Sequence, residues 1–293
     1  MSDIAKLIES CNAFYNMELK RHNDASHPLN VLQYLLDNNL VNKNELSGLN
    51  ETIMKNDFCI NANIPTSFGG TGECVKTWMM CDYPLTVYTS IKLANGRINS
   101  KHKKAIAEIA SQMEINGWRC SNKGNIGKFR GPGRKDDECP IATLNVLKLL
   151  TTTDANEYFE IKNVAIETVL NLWKNRTERK PYLFGMGTDF KKIKYPMIWY
   201  DILNVVNVLS HFPSAIKTKE FKEMYQLIMG KVSMNGFIPE SVYQYWKGYD
   251  FGQKKVESEH IKNVIENIEK RIRLTIASTM TTRPDTQSAS LDP

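Results

Sequence analysis

A chain of 293 residues, 42% apolar and 24% charged, has the material for a sizeable core, which excludes fibrous and low-complexity classes. Its formal net charge of +6 is spread among nearly as many acids, with no basic run, so nucleic acid is not an expected partner. No stretch approaches the ~18 apolar residues of a membrane span and "MSDIAKLIESC" lacks the apolar centre of an export signal, so a soluble cytoplasmic protein with six free thiols is expected.

Along the chain, amphipathic, charged segments are predicted as helices at about 2–20, 43–55, 101–116, 157–175 and 217–232. Between them lie more uniformly apolar helices, four of which open with a proline: Pro28 in "SHPLNVLQYLL", Pro84 in "CDYPLTVYTSIKL", Pro140 in "ECPIATLNVLKLL" and Pro196 in "YPMIWYDILNVVNVL". Successive prolines stand 56 residues apart, the fixed period of a repeat. Proline suits a first helical turn because its missing N–H would have no partner there. A fifth copy is predicted at Ser258, where serine can cap and Glu257 and Glu259 suit the positive helix end. Several charged helices stop at a turn followed by an aromatic: "KNDF" at Phe58, "INGW" at Trp118 and "MNGF" at Phe237.

Apolar helices belong inside and amphipathic ones outside. Five such pairs predict an all-α fold, an α/α toroid of about five hairpins forming one domain over residues 1–278, with a disordered polar tail over 279–293. The turn "QMEINGWRC", with Gln112, Gly117 and Trp118, and the segments "DECPIATLNVLKLL", "YPMIWYDILNVVNVL" and "FGQKKVESEHI" resemble the terpenoid cyclase and protein prenyltransferase superfamily, and within it small squalene-cyclase-like proteins of prokaryotes. The resemblance covers nearly the whole chain before the tail. It implies inner and outer helical rings around an apolar ligand, an isoprenoid or lipid, and points to an isoprenoid-modifying enzyme. The acidic run Asp136–Cys139 stands where cyclases carry their catalytic acid, but matches neither the DxDD nor the DCTAE pattern.

In a toroid the starts of the inner helices surround one mouth. His27, Cys81, Asp82, Asp136 to Cys139, Trp199, Tyr200, Asp201, Glu259 and His260 are therefore candidates for a common rim. Asp136, Asp137 and Glu138 can act as a general acid, since clustered carboxylates hold one another's protons, or can simply begin a helix. The resemblance to prenyltransferases, which bind zinc through an Asp-x-Cys pair, implies a zinc site at Asp137 and Cys139 completed by Cys120, Cys81 or His260; buried structural thiols are the alternative. "GKFRGPGRK" places Arg130 and Arg134, with Lys128 and Lys135, where cations can hold a phosphate or simply balance the acids. Trp199, Tyr200 and Trp118 can line an apolar pocket or pack the core, and Asp201, inside "WYDILNVV", is costly to bury without a partner. Two functions from other classes stay open: a noncatalytic lipid-binding or protein-interaction scaffold, and a carbohydrate-active toroid using Asp137 and Asp201 as its carboxylate pair.

Overall fold

The computed structural model describes residues 3–20, 24–123, 126, 137–178 and 187–281. The chain is mainly helical. The apolar segments form α2 (Pro28–Asp37), α4 (Tyr83–Leu93), α6 (Pro140–Leu150) and α8 (Ile202–Leu209). Every residue of α6 is buried, and in α4 only Lys92 escapes full burial. The charged segments form α1 (Asp3–Cys11), α3 (Ser47–Lys55), α5 (Ser100–Ser111), α7 (Phe159–Lys174) and α10 (Lys219–Asn235), each burying a stripe. A four-residue α9 (Pro213–Ile216) precedes α10, and α11 (Glu259–Thr281) closes the described chain.

The apolar helices lie side by side in chain order: α2 on α4, α4 on α6, α6 on α8, and α8 on α11. Amphipathic neighbours flank them, α1 on α2, α3 and α5 on α4, α7 on α6, and α10 on both α7 and α8. The start of α11 meets α2 through Tyr34 and His260, 3.5 Å apart, within an aromatic group that includes Tyr195, Trp246 and Phe251.

Three of the proline starts form as the sequence predicts. Pro28 and Pro140 are first residues of their helices, Pro84 is the second of α4, and His27 caps α2 by accepting from Leu29 N through Nδ1 at 3.2 Å. Pro196 does not open a helix. The Tyr195–Pro196 peptide is cis, and α8 waits until Ile202, where Asp201 Oδ1 accepts from Leu203 N and Asn204 N at 3.1 Å each. Aspartate is the stronger cap, because its side chain satisfies two N–H groups that proline at 196 leaves to the loop. Ser258 caps α11 as expected, its Oγ accepting from Ile261 N at 3.2 Å.

The structure shortens two other predicted helices. The first ends at Cys11 rather than near 20, because Leu19 leaves to bridge Ala62 and bury its side chain. The third ends at Ser111 rather than 116, and a separate turn follows in which Glu114 and Gly117 exchange backbone hydrogen bonds. Gly117 adopts φ +99°, and Trp118 then folds wholly into the core. The all-α expectation is corrected by two small sheets: β1 (Ile60–Ala62) antiparallel to β2 (Val75–Thr77), and β3 (Lys194–Tyr195) parallel to β4 (Ser241–Val242). The loops before inner helices are long enough to need their own backbone partners, which these ladders supply. α11 is helical to Thr281, past the predicted start of the polar tail at 279; residues 282–293 lie outside the described residues.

Candidate metal centre

Two extended segments meet where α4 and α6 begin. Residues 78–81 run antiparallel to 118–123, with Met80 N donating to Ser121 O (2.8 Å), Lys123 N to Trp78 O (3.0 Å) and Met79 bridging Asn122. Cys139 N donates to Trp118 O at 2.6 Å, which ties the start of α6 to the same ladder. Asn145 of α6 donates through Nδ2 to Cys81 O at 2.6 Å, fixing the start of α4 against it.

This framework gathers three sulfurs. Cys81 Sγ lies 3.5 Å from Cys120 Sγ and 3.6 Å from Cys139 Sγ, and all three lie within 4.8 Å of one another. The cysteines are free, and these separations far exceed the ~2.05 Å of a disulfide. Tetrahedral zinc with Zn–S bonds of ~2.3 Å holds its sulfurs about 3.8 Å apart, so the observed spacing is nearly that of a loaded site. Cys81 and Cys139 are buried, and Cys120 is partly open.

The electrostatics agree with a cation site. Without a metal, the Cys120 and Cys139 thiols, followed by burial, push Cys81 well above the ordinary thiol range, because adjacent thiolates would repel in a dry environment. Cys120 is raised too, first by Cys139. A divalent cation inverts this, deprotonating the ligands it binds. Cys139 directly precedes α6, with no side-chain cap bond, and Cys81 stands two residues before α4, so the positive ends of both helices also favour thiolates there. Asp82, buried beside Cys81, is near enough to raise Cys120 further and to act on the imidazole of fully buried His27. Burial lowers the His27 pKa, and Asp82 and Asp24 oppose that.

The sequence candidates fall into several places. Cys120 and Cys139 are in the sulfur group; Asp137 and His260 are not. Asp137 is half-buried and Glu138 buried, close enough for its charge to be felt by the buried Tyr200, which packs on Phe190 at 5.4 Å. His260 sits on α11 against Tyr34, with its Nε2 3.8 Å from the Asp250 carboxylate. Trp118 is enclosed, its indole N–H on Ile109 O at 2.7 Å, and Trp199 accepts from Asn204 through its carbonyl. Asp201 is fully buried as the α8 cap; burial pushes its pKa up to about 7, and its Oδ2 has no hydrogen-bond partner among the described residues. Lys128, Arg130, Arg134, Lys135 and Asp136 lie outside the described residues.

Cys81, named in the sequence with Cys120 and His260 as a residue that could complete the set, is the sulfur that lies close to both of the others. The repeat itself was the signal. "CDYP" and "ECP" each place a cysteine just before the start of consecutive apolar helices, so packing α4 against α6 brings the two thiols together. Comparison with protein-family models, curated proteins and solved structures finds no match for this chain.

Proposed function

We propose that this chain is a zinc-binding α/α toroid of the cyclase and prenyltransferase type, with Cys81, Cys120 and Cys139 as the metal's protein ligands. The observation that carries the reading is the meeting of three sulfurs at zinc-like spacing from segments 39 and 58 residues apart. Thiolates select zinc over harder cations, and among the described residues the metal-ligating group here is made of sulfurs alone. Side-by-side packing of the apolar helices, and the return of α11 to α2 through His260 and Tyr34, support the ring.

Among the described residues no fourth histidine, cysteine or carboxylate joins the group. Three protein ligands plus an exchangeable one is the pattern of zinc sites that do chemistry. The fourth position takes water or a substrate donor, and the metal serves there as Lewis acid or thiolate carrier. Asp82, whose charge acts on both Cys120 and His27, is a group that could move a proton or orient that ligand. The isoprenoid or lipid class of substrate follows from the family resemblance and belongs to the same proposal.

Metal analysis of the purified chain tests it. One zinc per chain is expected, lost in Cys81→Ser, Cys120→Ser and Cys139→Ser but kept in Cys59→Ser and Cys74→Ser. A metal-free wild-type chain that has seen no chelator, or a zinc content untouched by the three substitutions, overturns it.

A further inference from the structure

At the other end of the apolar helices, the last turns of α2, α4, α6 and α8 and the middle of α11 border a cleft of about 370 Å³. An eleven-residue helix is about 16 Å long, which separates this cleft from the sulfurs at the starts of α4 and α6. Its charged lining is Lys92, Lys148 and Arg271 against one carboxylate, Asp37, and three cations minus one anion leaves +2 with His211 neutral.

The single carboxylate is already engaged. Asp37 accepts from Lys148 Nζ and from Tyr88 Oη, each at 2.6 Å. Among the described residues Arg271 is held in place by neutral groups, donating through one terminal nitrogen to Asn207 Oδ1 (3.1 Å) and Ser210 Oγ (2.9 Å). A guanidinium fixed by neutral acceptors keeps its remaining N–H groups and its full charge for a ligand. We propose that this cleft binds a phosphate or diphosphate group of a small molecule, with Arg271 as the principal contact and Lys92 and Lys148 as supporting cations.

His211 lies in the same cleft. Its side chain is open to the cleft, yet its pKa is pushed down to about 4, first by the surrounding protein and then by Arg271 and Lys148. Desolvation is the larger cause, and the charges of Arg271 and Lys148 add to it, so both cations act on the imidazole at the cleft. The volume falls in the range of small-molecule sites, with room beyond the phosphate for the group that carries it.

Calorimetric titration of the full chain with inorganic phosphate and with pyrophosphate, at ionic strength held constant with chloride, tests the assignment. Saturable binding of one anion per chain is expected, weakened at least tenfold by Arg271→Gln and severalfold by Lys92→Gln. Lys92 makes no side-chain hydrogen bond among the described residues, so its variant decides if Arg271→Gln fails to fold. Cys74→Ser, at an exposed cysteine outside the cleft and the sulfur group, should leave the binding unchanged. Absence of saturable binding, wild-type affinity in both cation variants, or loss of anion binding by the wild-type chain when zinc is chelated, which would place the anion on the zinc, overturns the proposal.

Discussion

Asp201 carries a pH dependence that can be worked from its surroundings. Its side chain caps α8 through Oδ1, while Oδ2 is buried without a hydrogen-bond partner among the described residues. Burial is the largest cause of its raised pKa, opposed by the cap bonds and by Lys194. The folded state therefore keeps the proton up to about pH 7, whereas the unfolded chain releases it near 3.8. Between those values the folded state binds more protons, so stability is highest at the acid end and falls as pH rises through the window. The rise corresponds to about 4 kcal/mol lost between pH 4 and pH 7, taking 1.36 kcal/mol per pKa unit. Asp201→Asn keeps a cap acceptor and removes the titration. Urea unfolding at half-unit pH steps should show a declining contribution in the wild type that is absent from the variant, with Asp201→Asn the more stable chain at pH 7.5. Parallel pH profiles for the two proteins would refute the reasoning.

Asp37→Ala leaves Lys148 buried without its anion and should cost about 3 to 5 kcal/mol in chemical denaturation, as expected for removal of one partner from a buried pair; a loss below 1 kcal/mol would contradict that account. Gly117→Ala puts a methyl group at φ +99° and within 2.9 Å of Thr143 Oγ1, and should cost about 1 to 3 kcal/mol, read as a lower unfolding midpoint. Chelation of zinc held at a hundred times its Kd should remove about 2.7 kcal/mol of apparent stability, seen as a fall in Tm of the wild type and no fall in Cys139→Ser.

Much of the helical layout is legible in the sequence, because proline in a first turn and uniform apolarity are local signals with a direct physical cause. Pro28, Pro84 and Pro140 announce their helices, and Phe58 and Trp118 announce the turns after the charged ones. Pro196 misleads, since its place in the period is right but Asp201 offers the better cap five residues later. The ladder between residues 78–81 and 118–123 leaves no periodic trace, and it is what brings Cys120 to Cys81. The candidate site was thus half legible. All three cysteines were named as possible ligands, but Asp137 and His260 were named beside them, and only a tertiary pairing that spacing along the chain does not encode separates the sulfurs from those two. The basic cleft was not legible at all, because Lys92, Lys148 and Arg271 come from three helices and His211 from the turn after α8, and they meet only through packing.

X-ray absorption at the zinc edge of the purified chain tests the central claim most directly. Three sulfur scatterers at about 2.3 Å and one lighter donor at about 2.0 Å are the expected first shell. A shell of nitrogen and oxygen alone, or of four sulfurs, would contradict a three-cysteine centre with an exchangeable fourth ligand.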